Sequence, residues 1–317
     1  MPLTFQPPTI QPIHSAIAQQ AGVELSVLRL DCMHPWVNGN KWFKLKYNIL
    51  EAKQRNFTTL LTFGGAYSNH IFATAAAGNL FGFRTIGMIR GEERLPLNPT
   101  LSFAVQQGMQ LFYLDREKYR QRHTTALQAE LQQRFGEVFI IPEGGSNLNG
   151  VRGCMEILNT AAFDIVCVAC GTGTTLAGII LSLHKNQRAI GFPVLKDRAF
   201  LASEIDSWLK DYLASGLPIV DEAIASWQLI CDYHMGGYAK VNEELLLFSQ
   251  QFTQEHGIPL DYVYTAKMFY GVMDLLKQGF SPPGRLLLIH TGGLQGNLGI
   301  EKRLLQLGSM DTSPRNH

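Results

Sequence analysis

The sequence predicts a two-domain, three-layer α/β/α protein, and three observations carry that prediction. Short apolar runs rich in β-branched residues alternate along the chain with segments of helical period. Four of those runs end in glycine-rich turns that lead into helices. The length, 317 residues, is too great for one compact core and suits two domains. Strands are expected at Thr58–Phe63, Thr85–Ile89, Leu111–Leu114, Val138–Pro142, Ile165–Ala169, Trp227–Cys231 and Leu286–His290. Their apolar runs are continuous rather than alternating, as in parallel strands covered on both faces. Helices are expected at Asn69–Leu80, Asn98–Gln107, Arg116–Phe135, Thr174–His184, Val241–His256, Thr265–Gln278 and Gln295–Gly308. No composition shift marks the domain break. A turn at IPEGGSN leads into a new helix near Gly150, so a smaller α/β domain is expected over residues 48–147 and a larger one over 1–47 plus 148–317.

Hydrophobic residues make up 46% and charged residues 17%, ordinary values for a soluble globular chain. Lys plus Arg (27) nearly balances Asp plus Glu (26), so no basic field draws in nucleic acid or an anionic membrane. A small-molecule partner is expected instead. The N-terminus lacks the pattern of a signal peptide, and no apolar run approaches the roughly 20 residues of a spanning helix. A cytoplasmic location is expected. Cys32, Cys154, Cys167, Cys170 and Cys231 are scattered and odd in number, which argues against a disulfide framework. Cys167 and Cys170 form a C-x-x-C inside an apolar strand, where positions three apart face opposite ways. No second pair at ligand spacing follows, so no metal site is expected.

The glycine-rich turns are GGAYSN at 64–69, EGGSN at 143–147, CGTGTT at 170–175 and TGGLQG at 291–296. Ligands of open α/β sheets bind outside the carboxyl ends of the strands. Each turn can aim backbone N–H groups at an anion, and the helix that follows adds its dipole. Gly171-Thr172-Gly173-Thr174-Thr175 is the strongest of the four, because its glycines permit close approach and its hydroxyls can donate to phosphate oxygens. It is neither a P-loop, since no Lys follows Gly173, nor a dinucleotide fingerprint, since Gly178 falls too late.

Lys41 stands in N-G-N-K at the entrance of a helical pattern. Alone it reads as a surface charge, since lysine is rarely buried. The order N-G-N-K-W-F-K-L-K-Y, G-G-A-Y-S-N-H, G-T-G-T-T-L-A-G, V-Y-T-A-K and H-T-G-G changes that reading. It resembles the family of 1-aminocyclopropane-1-carboxylate (ACC) deaminase and D-cysteine desulfhydrase, a branch of the tryptophan-synthase-β-like, fold-type-II enzymes that depend on pyridoxal 5'-phosphate (PLP). The resemblance runs from about Leu30 to Gly293. It implies that Lys41 bonds covalently to the cofactor and later serves as the base at Cα. Ser68 and Asn69 match the pair that holds the substrate carboxylate, the Asn lying against the cofactor ring. Gly171, Thr172, Gly173, Thr174 and Thr175 match the phosphate cup, and Tyr264 a tyrosine near the reacting carbon. The H-T-G-G turn approaches the pyridine side. A homodimer is also implied.

Two positions divide the family. ACC deaminases typically carry Glu after the tyrosine and Leu between His and the first Gly of the last motif. D-cysteine desulfhydrases typically carry Ser or Thr at both, and this chain has Thr265 and Thr291. A carboxylate beside the pyridine nitrogen keeps it protonated and strengthens the electron sink, whereas a hydroxyl leaves it closer to neutral. β-Elimination of sulfide from a small D-amino acid such as D-cysteine is therefore expected, with ACC ring opening, racemisation and β-replacement as alternatives. His70 stands where better-known members have Gln, and it is a candidate substrate contact. Trp42, Phe43 and Glu143 also depart from the family pattern. Tyr233 and Tyr238 are candidates for the entrance.

Overall fold

The computed structural model describes residues 4–158, 163–221, 224–282 and 284–301. Two sheets organise the chain. The larger has the order β1 (Thr9–Ile13), β2 (Glu24–Arg29), β10 (Arg285–His290), β7 (Ile165–Cys170), β8 (Arg188–Pro193), β9 (Ser226–Leu229). The smaller has the order β5 (Met109–Leu114), β4 (Arg84–Arg90), β3 (Thr59–Gly64), β6 (Phe139–Ile141). All pairings are parallel except β1 with β2. The antiparallel β1 lies at the sheet edge, where the missing donor of Pro12 is tolerated.

Helices cover both faces of each sheet, as continuous apolar strands require. In β7, Val166 and Val168 pack with Leu176 and Ile180, while Ile165, Cys167 and Ala169 pack with Phe269 and Met273. Cys167 and Cys170 accordingly fall in different cores, and both are free thiols. In β3, Leu60 meets Ala73 and Ala77 on one face, and Leu61 and Phe63 meet Leu127 and Leu131 on the other.

The expected elements differ from the structure at several points. Strands β1, β2 and β8 were not expected: TIQPI and ELSVLR are too polar to stand out, and RAIGFP carries Gly and Pro. The strand expected at Trp227–Cys231 is Ser226–Leu229. The expected helix Arg116–Phe135 is two helices, Arg116–Arg120 and Thr125–Phe135, because the Thr124 hydroxyl accepts the Leu127 N–H and starts the second one afresh. The helix Arg198–Ala214 was also not expected. A 3-10 turn at Leu294–Gly296 precedes the last helix, whose expected residues 302–308 lie outside the described residues. At the carboxyl ends of β3, β6, β7 and β10 the chain enters the four glycine-rich turns.

Candidate active site

The N-G-N-K motif is explained by a crossing of two backbones. Gly39 opens the helix Gly39–Gln54 at φ 63, and a Cβ there would lie 2.0 Å from the Thr291 carbonyl oxygen. Only glycine allows that approach. It lets the Asn40 N–H donate to Thr291 O at 3.2 Å and ties the helix entrance to the turn after β10. Asn40 then donates from Nδ2 to Thr175 Oγ1 at 3.0 Å and accepts from Lys41 Nζ at 3.1 Å. Burial, and then the neighbouring Lys44 ammonium, push Lys41 down to about 7.

Lys44 lies three residues on, on the same face of the helix. It is 3% exposed, its Nζ donates to Thr172 Oγ1 at 3.2 Å, and burial pushes it down to about 8. Neither lysine has a carboxylate partner among the described residues. Two buried amines without a counter-charge leave a site that favours an anion.

The loop Gly171–Thr175 closes over that pair. Gly173 is left-handed (φ 76) and precedes the helix Thr174–Leu181, whose N-terminus has no side-chain cap. Its first N–H groups and its dipole therefore remain for a ligand. Ser146, from the turn after β6, donates to Thr172 Oγ1 at 2.7 Å, and Thr174 Oγ1 lies 3.3 Å from the same atom. Hydroxyls, an uncapped helix start and Lys44 make a donor set that fits a phosphate group.

The turn after β3 behaves differently. Ser68 caps the helix Asn69–Phe81, its Oγ accepting from the His70 and Ile71 N–H groups at 3.2 and 3.3 Å. His70 is buried, and its Nε2 meets Thr62 Oγ1 at 2.8 Å. That hydroxyl donates to Ile141 O, so the ring donates from Nε2 and leaves Nδ1 as a buried acceptor without a partner. Burial and the two lysines hold His70 well below the ordinary histidine range, so it is neutral.

Tyr264 donates its N–H to Asp261 Oδ1 at 2.6 Å. Its ring stands against Gly171, where a Cβ would lie 3.2 Å from Cε1, and the ring of Tyr238 meets it edge-on at 6.1 Å. Burial, and then the Tyr238 phenol and Asp261, raise the Tyr264 phenol well above its usual value. It is protonated at neutral pH. Tyr233, in contrast, packs with Phe192 and Tyr270 and donates to Asp274 Oδ2. Thr265 is fully buried; its hydroxyl accepts from the Asp261 N–H at 2.8 Å and donates to the Asp261 carbonyl at 3.2 Å. Asp261 itself is fully buried, its Oδ2 has no partner, and burial raises its carboxyl to about 7. Thr291 lines a cavity of about 240 Å³ with Lys41, Asn69, Trp36, Phe72 and Gln295. Glu143 is held by Arg122 at 2.8 Å and by the Tyr119 hydroxyl at 2.9 Å.

The motifs from five separate parts of the chain thus converge, and Lys41, Asn69, Gly171–Thr175, Tyr264 and Thr291 surround one region. Sequence reasoning missed Asn40, Lys44, Ser146 and Asp261. For Lys44 a signal existed: K-x-x-K places two lysines on one helix face. Ser146 and Asp261 carry no local sign, since their partners lie in other turns.

Residues 8–292 match the family of pyridoxal-phosphate dependent enzymes, and the chain belongs to that family. Its cofactor is PLP, and the fold is that of a fold-type-II enzyme. Among similar proteins, a bifunctional D-cysteine desulfhydrase/1-aminocyclopropane-1-carboxylate deaminase of Arabidopsis thaliana is 29% identical over 91% of this chain and 76% of its own length. A D-cysteine desulfhydrase of Serratia proteamaculans is 28% identical over 88% and 89%. The crystal structure of an ACC deaminase homologue superposes with a TM-score of 0.82 at 27% identity, covering 97% of this chain and 96% of that one. The chain is a PLP-dependent lyase of the kind that includes ACC deaminases and D-cysteine desulfhydrases. Among the described residues no helix is long and apolar enough to cross a membrane.

Proposed function

We propose that the protein catalyses β-elimination on a small D-amino acid, D-cysteine in the first place, consuming water and releasing pyruvate, ammonia and sulfide. The observation that carries this choice over ACC ring opening is Thr265: the side chain after the active-site tyrosine is a buried hydroxyl already bonded to the Asp261 backbone, not a carboxylate. PLP, when bound, supplies the electron sink for the pair left when Cα loses its proton.

The rest of the work belongs to this chain. Gly171, Thr172, Gly173, Thr174 and Thr175, with Lys44 and Ser146, would hold the phosphate. On the family resemblance, Asn69 would lie against the cofactor ring and Thr265 and Thr291 would stand on its pyridine side. Ser68 and Asn69 present the helix start to the substrate carboxylate, and His70 braces that turn from behind through Thr62. Lys41, pushed down to about 7, has a large neutral fraction at neutral pH, so its Nζ can take the Cα proton. Tyr264, which stays protonated, is the group we assign as donor to the departing sulfur. We also propose a homodimer, a cytoplasmic location and a smaller domain over residues 48–147, on the family resemblance; light scattering tests the first.

The experiment is product release by PLP-loaded protein on D-cysteine, L-cysteine and ACC side by side. D-cysteine is expected to turn over at least about tenfold faster than ACC, and Lys41→Ala to lose both turnover and the visible absorbance of bound cofactor. Faster release of 2-oxobutanoate from ACC would overturn the substrate reading and leave the family unaffected.

A further inference from the structure

Asn69 and Gln295 both line the Lys41 cavity, and Asp261 is buried beside the turn that carries Gly293 and Gly296. Asp261 Oδ1 accepts the Tyr264 N–H, and Oδ2 is buried without a partner among the described residues. A Cβ on Gly293 would lie 2.5 Å from Asn69 Nδ2 and 3.3 Å from Asp261 Oδ2. A Cβ on Gly296 would lie 3.6 Å from Asn69 Oδ1 and 3.6 Å from Asp261 Oδ2. The two glycines therefore leave room for both side chains beside the turn. Gln295 donates from Nε2 to Asn69 Oδ1, and Gln295 Oε1 is buried with no partner among the described residues.

Gln295 Nε2 donates to Asn69 Oδ1, so the donor end of the amide, Nδ2, is the end left for a ligand. The atom left unpaired among the described residues is Gln295 Oε1. A glutamine turned the other way would set Oε1 against Oδ1 and pair neither.

We propose that Gln295 is a positioning residue that fixes which end of the Asn69 amide faces the cofactor. The inference rests on the reading above that Asn69 lies against the cofactor ring. It adds that the donor end is selected from outside, by a side chain that enters at the turn after β10. PLP carries a phenolic oxygen, and an N–H held against it favours the ionised phenolate, whereas an amide oxygen favours the protonated phenol. The polarity of the amide is thus readable in the absorbance of bound cofactor as a function of pH.

Gln295→Glu tests this at nearly constant volume, because a carboxylate can only accept. Asn69 must then turn Nδ2 towards residue 295 and Oδ1 towards the cofactor. Gln295→Met removes the donor without demanding the turn. The measurements are PLP dissociation constants by equilibrium dialysis and the pH midpoint of the cofactor absorbance. Gln295→Met is expected to weaken PLP binding about three- to tenfold, the worth of one hydrogen bond. Gln295→Glu is expected to weaken it more than tenfold and to move the pH midpoint upward by a unit or more.

Equal losses in the two variants, with an unmoved midpoint, would reduce Gln295 to a packing residue and overturn the proposal. If Gln295→Glu does not fold, wild-type affinity in Gln295→Met overturns it. A wild type that gains no visible absorbance with PLP overturns this inference together with the functional reading. Bound wild type with unaffected variants overturns this inference alone.

Discussion

Two helix starts in this molecule look alike in the sequence and differ in chemistry. Both follow a parallel strand and a small-residue turn, at Ser68 and at Gly173. Ser68 spends its hydroxyl on its own helix, capping the N–H groups of His70 and Ile71. Gly173 has no side chain to do so, and the neighbouring hydroxyls of Thr172 and Thr174 are organised instead around Lys44 and Ser146. Behind the first start stands a neutral histidine; behind the second, a lysine with no carboxylate partner. The comparison teaches that an anion site is made by what a helix start leaves unsatisfied. By that measure the Gly173 end suits a bound phosphate, and the Ser68 end, whose cap already takes two N–H groups, offers less to an anion, in keeping with the proposed carboxylate that must arrive and leave.

The largest test is on the phosphate side. Lys44→Met removes a charge-assisted donor, worth about 1.5–3 kcal/mol, and is expected to weaken PLP binding about ten- to a hundredfold in equilibrium dialysis. The same variant should make the cofactor-free protein more stable, because a buried cation without a counter-charge is lost. Reduced stability without weaker binding would reject Lys44 as a phosphate ligand.

The pH dependence of the cofactor-free protein gives a second effect. Lys41 and Lys44 titrate at about 7 and 8 when folded and near 10.5 when unfolded. Between those values the unfolded chain binds the extra protons, so stability rises with pH from about 7 towards 10. Chemical denaturation across that window should show the rise, and Lys44→Met should flatten it. A fall in the wild type would mean that the lysines are solvated.

Ser68→Ala is expected to act least on stability. Loss of the cap costs about 0.5–2 kcal/mol, and KM for the amino acid should rise while PLP binding stays near the wild-type value. A collapse of PLP affinity would erase the distinction between the two helix starts.

Much of the site was legible because its parts are local. The four turns can be read where apolar strands stop, and Ser68, Asn69 and Gly171–Thr175 lie inside them, while Lys41 is legible in N-G-N-K at a helix entrance. The strands that escaped notice, β1, β2 and β8, lack a continuous apolar run, and β1 needs only one covered face at its edge. Arg116–Phe135 was read as one helix because helical period survives across Gln121–Thr124, while the Thr124 cap that divides it is a single hydroxyl.

By itself the sequence determined the layered α/β architecture, the turns and the lysine in N-G-N-K, since periodicity, glycine and chain order are properties of neighbours. Only the tertiary structure decided how those parts act on one another. It brought Lys44 to Thr172 across 128 positions and Gln295 to Asn69 across 226. It turned the Thr265 hydroxyl into the Asp261 backbone and left Asp261 Oδ2 buried without a partner among the described residues. The physical reason is burial. A side chain's pKa and hydrogen-bond polarity depend on which groups remain beside it once water is excluded, and the folded chain draws those groups from distant segments.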